Sequence, residues 1–128
     1  MSVTHTDVPM TLKVTDDCPV RDVLDRVGDK WSVLIVVLLG RRTHRFGELH
    51  RAIEGISQRM LTLTLRALVR DGLVTRTAHA TVPPRVDYEL TEMGRTLLVP
   101  LSALDEWANA HRDDIRAARE RHDRGTTA

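Results

Sequence analysis

The side chains best equipped for recognition chemistry are arginines, and they are unevenly placed. Residues 41 to 85 hold nine of them, at 41, 42, 45, 51, 59, 66, 70, 76 and 85, against Glu48, Glu54 and Asp71, a balance of +6. The whole chain of 128 residues has 19 basic and 18 acidic residues, a net charge of +1, so the flanks together carry −5. A basic middle between acidic ends is the distribution of a surface that meets a nucleic acid. Arginine suits that role because its planar fork bonds two phosphate oxygens or a guanine edge at once, which a lysine ammonium cannot do. On an arbitrary amphipathic helix such charges only serve solubility, but there the signs are usually mixed.

Other reactive groups are sparse. Cys18 is the one cysteine, which excludes an intrachain disulfide. It precedes an expected helix start, where the dipole favours the reactive thiolate; Arg21 one turn on acts the same way, while Asp16 and Asp17 oppose it. A lone cysteine also serves as a small buried hydrophobe. The histidines, at 5, 44, 50, 79, 111 and 122, are scattered singly. There is no His-Glu-x-x-His, no Gly-x-Ser-x-Gly elbow, and no glycine-rich phosphate loop, so neither an enzyme, a metal site nor a cofactor is expected. Trp31, Phe46, Tyr88 and Trp107 are far apart and bracketed by apolar residues. They read as core, which argues against single-stranded nucleic acid, whose binders need stacking platforms.

The elements that position the arginines follow from caps and periodicity. Ser57 is an N-cap and Gly72 stands where a left-handed C-terminal residue belongs, so a helix runs from about Gln58 to Asp71. Met60, Leu61, Thr64, Leu65, Leu68 and Val69 fall on one side of it, and Arg59, Thr62, Leu63, Arg66 and Arg70 on the other. Upstream, Pro19 opens a helix ending at Gly28, and Asp29 caps a second from Lys30 through Leu39, apolar nearly all round and expected to be central and buried, with Gly40 ending it. After a short basic connection, Phe46, Leu49 and Ile53 make the inner face of a third helix, and Glu54-Gly55-Ile56 turns into the Ser57 helix. That pair is a helix-turn-helix, its second helix suited to the major groove. Residues 73–78 and 86–90 alternate as two antiparallel strands. Between them Val82-Pro83-Pro84-Arg85 forms a wing, stiffened by its prolines, with Arg85 near the tip, where a minor groove or a phosphate is in reach. The prolines would equally protect an edge loop.

The fold class expected is therefore mainly α (α+β): a winged helix-turn-helix with a two-stranded β wing and a C-terminal dimerisation helix. Residues 1–16 read as a disordered tail, 17–122 as the single domain with its dimerisation helix over about 91–122, and 123–128 as a second tail. In that last helix, capped by Thr91, Leu97, Leu101, Leu104, Ala108, His111, Ile115 and Ala118 recur at steps of four and three, a 3.5-residue seam that pairs with a twin helix beyond the reach of its own domain. Trp107 lies beside the seam. Pro100 should kink or break the helix because it lacks an amide donor. No run of 18 apolar residues and no apolar leader exist, so neither a membrane span nor export is expected and a reducing cytoplasm is.

Over residues 18 to 107 the chain resembles the HxlR-type regulators, a branch of the MarR-like winged-helix transcription factors. The matching blocks are Cys18-Pro19-Val20, Gly28-Asp29-Lys30-Trp31, Arg45-Phe46-Gly47-Glu48-Leu49, Ile56-Ser57-Gln58-Arg59-Met60-Leu61, Leu65-Arg66-Ala67-Leu68, Asp71-Gly72-Leu73-Val74 and Val82 through Thr91. The resemblance implies a homodimeric bacterial transcriptional regulator, a repressor or an activator, bound to an inverted-repeat operator in double-stranded DNA. By that resemblance Ser57, Gln58, Arg59, Thr62 and Arg66 fall on recognition-helix positions and Arg85 on the wing; Arg45 is a further expected DNA contact, and the seam gives an expected dimer interface of Leu97, Leu101, Leu104, Trp107, Ala108, His111 and Ile115. The resemblance also implies a sensing role for Cys18 toward oxidants or electrophiles, beside the alternative of a small-molecule effector that needs no cysteine. Leu63 departs from the pattern, standing outward where a polar base-reader is expected; a thymine methyl is one partner for it. A winged-helix module that binds only protein fits the fold but leaves the +6 segment unexplained.

Overall fold

The computed structural model describes residues 29–126, together with Val23 and Asp25, both helical. Residues 1–16, Cys18 and most of the helix expected from Pro19 lie outside the described residues. Helix α1 (Lys30–Arg41) starts where the Asp29 carboxylate accepts from the Trp31 amide at 3.0 Å. It buries Ser32, Ile35, Val36 and Leu39, but Leu34 on its far side is exposed. The helix is central, as expected, with Trp31, Val33, Val37 and Leu38 half-buried around that core stripe and Leu34 the exposed exception. Gly40, however, does not stop it. The helix continues to Arg41, and the missing side chain instead admits Leu98, whose methyls lie 2.9 and 3.0 Å from where a Cβ would stand.

Strand β1 (His44–Arg45) follows, then α2 (Phe46–Ala52), α3 (Gln58–Arg70), β2 (Val74–His79), β3 (Arg85–Leu90), α4 (Glu92–Thr96) and α5 (Leu98–Thr126). The sheet is antiparallel in the order β1-β3-β2. The basic connection before α2 thus adds a third strand to the hairpin, His44 pairing with Tyr88 and Arg45 with Asp87. Alternation puts Val74, Tyr88 and Leu90 inward, and these close the core over Leu39, Leu49, Leu61, Leu65 and Leu68. Burying each such side chain is worth roughly 1.5–3 kcal/mol, and this cluster is what holds α3 against the sheet.

The wing is pinned at its base. Thr91 caps α4 by accepting from the Gly94 amide at 2.9 Å, while its hydroxyl donates to the Gly72 carbonyl at 2.6 Å. Gly94 is buried, and a Cβ there would run into the Leu73 carbonyl. The C-terminal segment breaks at Leu97, three residues before Pro100. The proline then occupies the third position of α5, where an amide would have no intrahelical acceptor. Leu97, Leu98 and Leu101 pack on the core; from Ser102 to Ala110 every residue is exposed. The helix continues through Thr126, four residues past the expected end at 122, because Glu120, Arg121 and Arg124 are good helix formers and its sides need no core.

Candidate nucleic-acid interface

α2 and α3 meet through a turn in which Gly55 has φ 89°, a left-handed value that glycine adopts without strain, and Ile56 is buried. The Ser57 hydroxyl accepts from the Met60 amide at 3.0 Å, so its first task is to cap α3. Leu61, Thr64, Leu65 and Leu68 form the packed stripe. Met60 and Val69, expected to share it, are exposed: at 100° per residue they fall about a quarter turn to either side of its centre. The Thr64 hydroxyl donates to the Met60 carbonyl at 2.8 Å, which satisfies it inside the core, and Thr62 does the same to Gln58 at 2.9 Å on the outer side.

The opposite face presents Gln58, Arg59, Thr62, Leu63 and Arg66 around a hollow of about 510 Å³ bounded by Phe46. Leu63 is 45% exposed inside this otherwise polar group. Among the described residues no acidic side chain forms an ion pair with Arg59, Arg66, Arg70 or Arg76. Arg70 and Arg76 belong to the same basic surface. Arg76 stands opposite Tyr88 on the sheet face turned toward α3, and with Arg66 and Arg70 it lines a second cleft behind the hollow. Sequence reading counted Arg76 without giving it a place; strand alternation with the buried Val74 was the signal that assigns its face.

Arg45 and Arg85 lie elsewhere. Arg45 is exposed at the N-cap of α2, its amide donating to Glu48 Oε1 at 2.8 Å, and it pairs in register with Asp87. That amide bond, reinforced by Arg42 at 3.4 Å, holds the Glu48 carboxyl below the usual carboxylate range against a smaller opposing effect of desolvation. Arg85 stands at the tip end of the wing: Pro84 has no amide to give the ladder, so β3 begins at Arg85, which pairs with His79 in the last rung before the loop, three residues from the fully exposed Val82. Asp87 lies between them, 2.9 Å from His79 Nε2 and 3.5 Å from Arg85 Nε. The structure therefore gathers Gln58, Arg59, Thr62 and Arg66 and leaves Arg45 and Arg85 with Asp87 on the sheet's other face.

The expected dimer seam is likewise divided. Leu97 and Leu101 are spent on the chain's own core, whereas Leu104 and Trp107 are each 54% exposed. Ala108 is exposed, and His111 and Ile115 are half-buried. His111 stacks on Trp107 with ring centres 4.6 Å apart and bonds its carbonyl at 2.9 Å, which stiffens this stretch.

Comparison with known proteins places the geometry. A family profile described as HxlR-like helix-turn-helix matches residues 26–116. The HTH-type transcriptional regulator YtfH of Escherichia coli is 41% identical over 105 residues, 82% of this chain and 83% of that protein. Among solved structures, a transcriptional regulator ytfH from Salmonella typhimurium superposes with a TM-score of 0.73 at 40% identity, covering 83% of this chain and 95% of that one. The reduced form of the redox regulator HypR gives a TM-score of 0.73 at 41% identity, covering 77% and 98%.

Proposed function

This chain belongs to the HxlR-like helix-turn-helix family of transcriptional regulators, and from that premise we propose that it is a homodimeric repressor that binds an inverted-repeat operator through α3. The observation that carries the reading is the outward face of α3, where Arg59 and Arg66 stand without an acidic partner among the described residues beside Gln58 and Thr62. Cations left unpaired on one helix face are free to replace the counterions of a phosphate backbone, and their forks match a guanine edge. Ser57 contributes by capping the helix, while Arg45 and Arg85 give weaker, sequence-independent contacts. No helix among the described residues is long and apolar enough to cross a membrane, and the proposed place of action is the cytoplasm.

The second chain is supplied by α5. Leu104 and Trp107 continue the apolar line of Leu97 and Leu101 after it has left the core, and Leu34 of α1 is a further exposed apolar residue. A twin helix would cover this line and set two copies of α3 on one face of a duplex.

The likeness to HypR supports a response to oxidants or electrophiles through Cys18. Titration with diamide while following duplex binding tests this part separately: the parent should lose DNA at a dose that leaves Cys18→Ser bound, and equal loss contradicts it. The DNA reading is tested by anisotropy on mixed-sequence duplex over a salt series. Affinity should fall with rising salt, and Arg66→Ala should lessen the slope by about 0.9 if that arginine neutralises one phosphate. Binding insensitive to salt would contradict the assignment.

A further inference from the structure

Five side chains of α3 line the outward hollow, and four of them, Gln58, Arg59, Thr62 and Arg66, are polar. The fifth is Leu63, 45% exposed, with Phe46 of α2 the other apolar group beside the same hollow. A single exposed leucine is ordinary on a surface that stays in water. On a surface that closes over base pairs it is not, because every polar edge it covers loses its bonds to water and gains none in return. Among the groups that the four bases display in the major groove, one is apolar, the C5-methyl of thymine. We propose that Leu63 reads a pyrimidine 5-methyl group, so that each half-site carries a thymine opposite it, and 5-methylcytosine serves there where unmodified cytosine does not.

The inference rests on the reading of α3 as the DNA-binding helix and adds what that helix selects. Leu63 is the sixth residue of α3, within the N-terminal part of a recognition helix that reaches base edges. It stands four residues after Arg59 and three before Arg66, so each arginine Cβ is about 5–6 Å from its own on the same face. Bases along a strand follow one another at about 3.4 Å. The methylated base is therefore expected within two base pairs of the guanines that the arginine forks suit. Thr62, beside Leu63, also carries a methyl group, but its hydroxyl donates to the Gln58 carbonyl at 2.9 Å, a bond that ties this short side chain to the helix backbone. Leu63 has no such tether and is the longer apolar group.

The test uses the full chain and the duplex site it selects from a random library, with each thymine replaced in turn by deoxyuridine, which removes the methyl and keeps the pairing. At one position per half-site uracil should weaken binding about fourfold, and about sixteenfold when both halves are replaced, as for withdrawal of one buried methyl group from each. In Leu63→Gln, of similar length but polar, uracil and thymine should bind alike, while the salt dependence stays that of the parent. 5-Methylcytosine at the same position should bind about fourfold more tightly than cytosine to the parent, and equally to Leu63→Gln. Thr62→Ser, which loses only its methyl, should keep the uracil penalty. Leu63 and Thr62 are not core residues, and matching thermal melts establish that the variants are folded. The inference is overturned by a selected half-site without thymine, by uracil binding as well as thymine at every position, by a penalty that survives in Leu63→Gln, or by one that disappears in Thr62→Ser. In each of those cases the chain still selects DNA, so the reading of α3 stands; a chain that selects no sequence overturns that reading and the inference with it.

Discussion

Arg59 and Arg85 carry the same charge but differ in what already holds it. Arg59 has no acidic partner among the described residues, whereas Arg85 lies 3.5 Å from an Asp87 carboxylate that also bonds His79. Arg59→Ala should therefore weaken binding to a specific site by about 1–3 kcal/mol and relax preference at one position per half-site. Arg85→Ala should cost less than about 1 kcal/mol, equally on specific and random duplex, as for a half-buried charge that is already paired. Anisotropy with both duplexes distinguishes them, and equal losses in the two variants would contradict the ranking. Glu48 titrates with a defined sign. Its folded pKa is lowered, chiefly by the Arg45 amide, from an ordinary value of 4.5, so its contribution to stability is complete above that value and is lost as the pH falls through the folded one. Glu48→Gln should flatten the acid side of the Tm against pH profile; an unchanged profile would show that the cap is not formed in solution. The arginine face was legible in residue types and helical spacing. The bond of Asp87 to His79 was not, because it depends on the register that joins β2 to β3.

Elements whose ends are encoded by their own caps could be read directly. Ser57, Asp29 and Thr91 each accept from a first-turn amide, and Gly72 has φ 78° after α3. Elements created by a neighbour could not. His44–Arg45 is a strand only because β3 lies beside it, whereas the break at Leu97 is the one expected of Pro100, which cannot donate to the Thr96 carbonyl. Gly94 was not singled out for the same reason: its importance lies in the Leu73 carbonyl, remote in sequence. Gly94→Ala should destabilise the fold by about 1–3 kcal/mol through overpacking against backbone that cannot move aside. Urea denaturation monitored by circular dichroism measures this, and a shift below about 0.5 kcal/mol would mean that α4 is not seated as described.

Across the whole molecule, the 3.5-residue period in α5 was visible from sequence, but not where the helix stops serving its own domain. That boundary lies between Leu101 and Leu104, since it depends on how far α1 and the sheet extend. Trp107→Glu places a charge on a residue already exposed in a single chain, so it should give folded monomers by sedimentation, whereas a dimer would put the interface elsewhere. Two copies of α3 held by such an interface demand a matching symmetry in their target. Selection of bound duplexes from a random library by the full chain is the most direct test. It should enrich inverted repeats with half-site centres about one helical turn apart, roughly 10–10.5 base pairs, and the same selection with Arg59→Ala should lose information at one position in each half. Enrichment of single unpaired sites, or of no sequence at all, would contradict a dimer that reads DNA through α3.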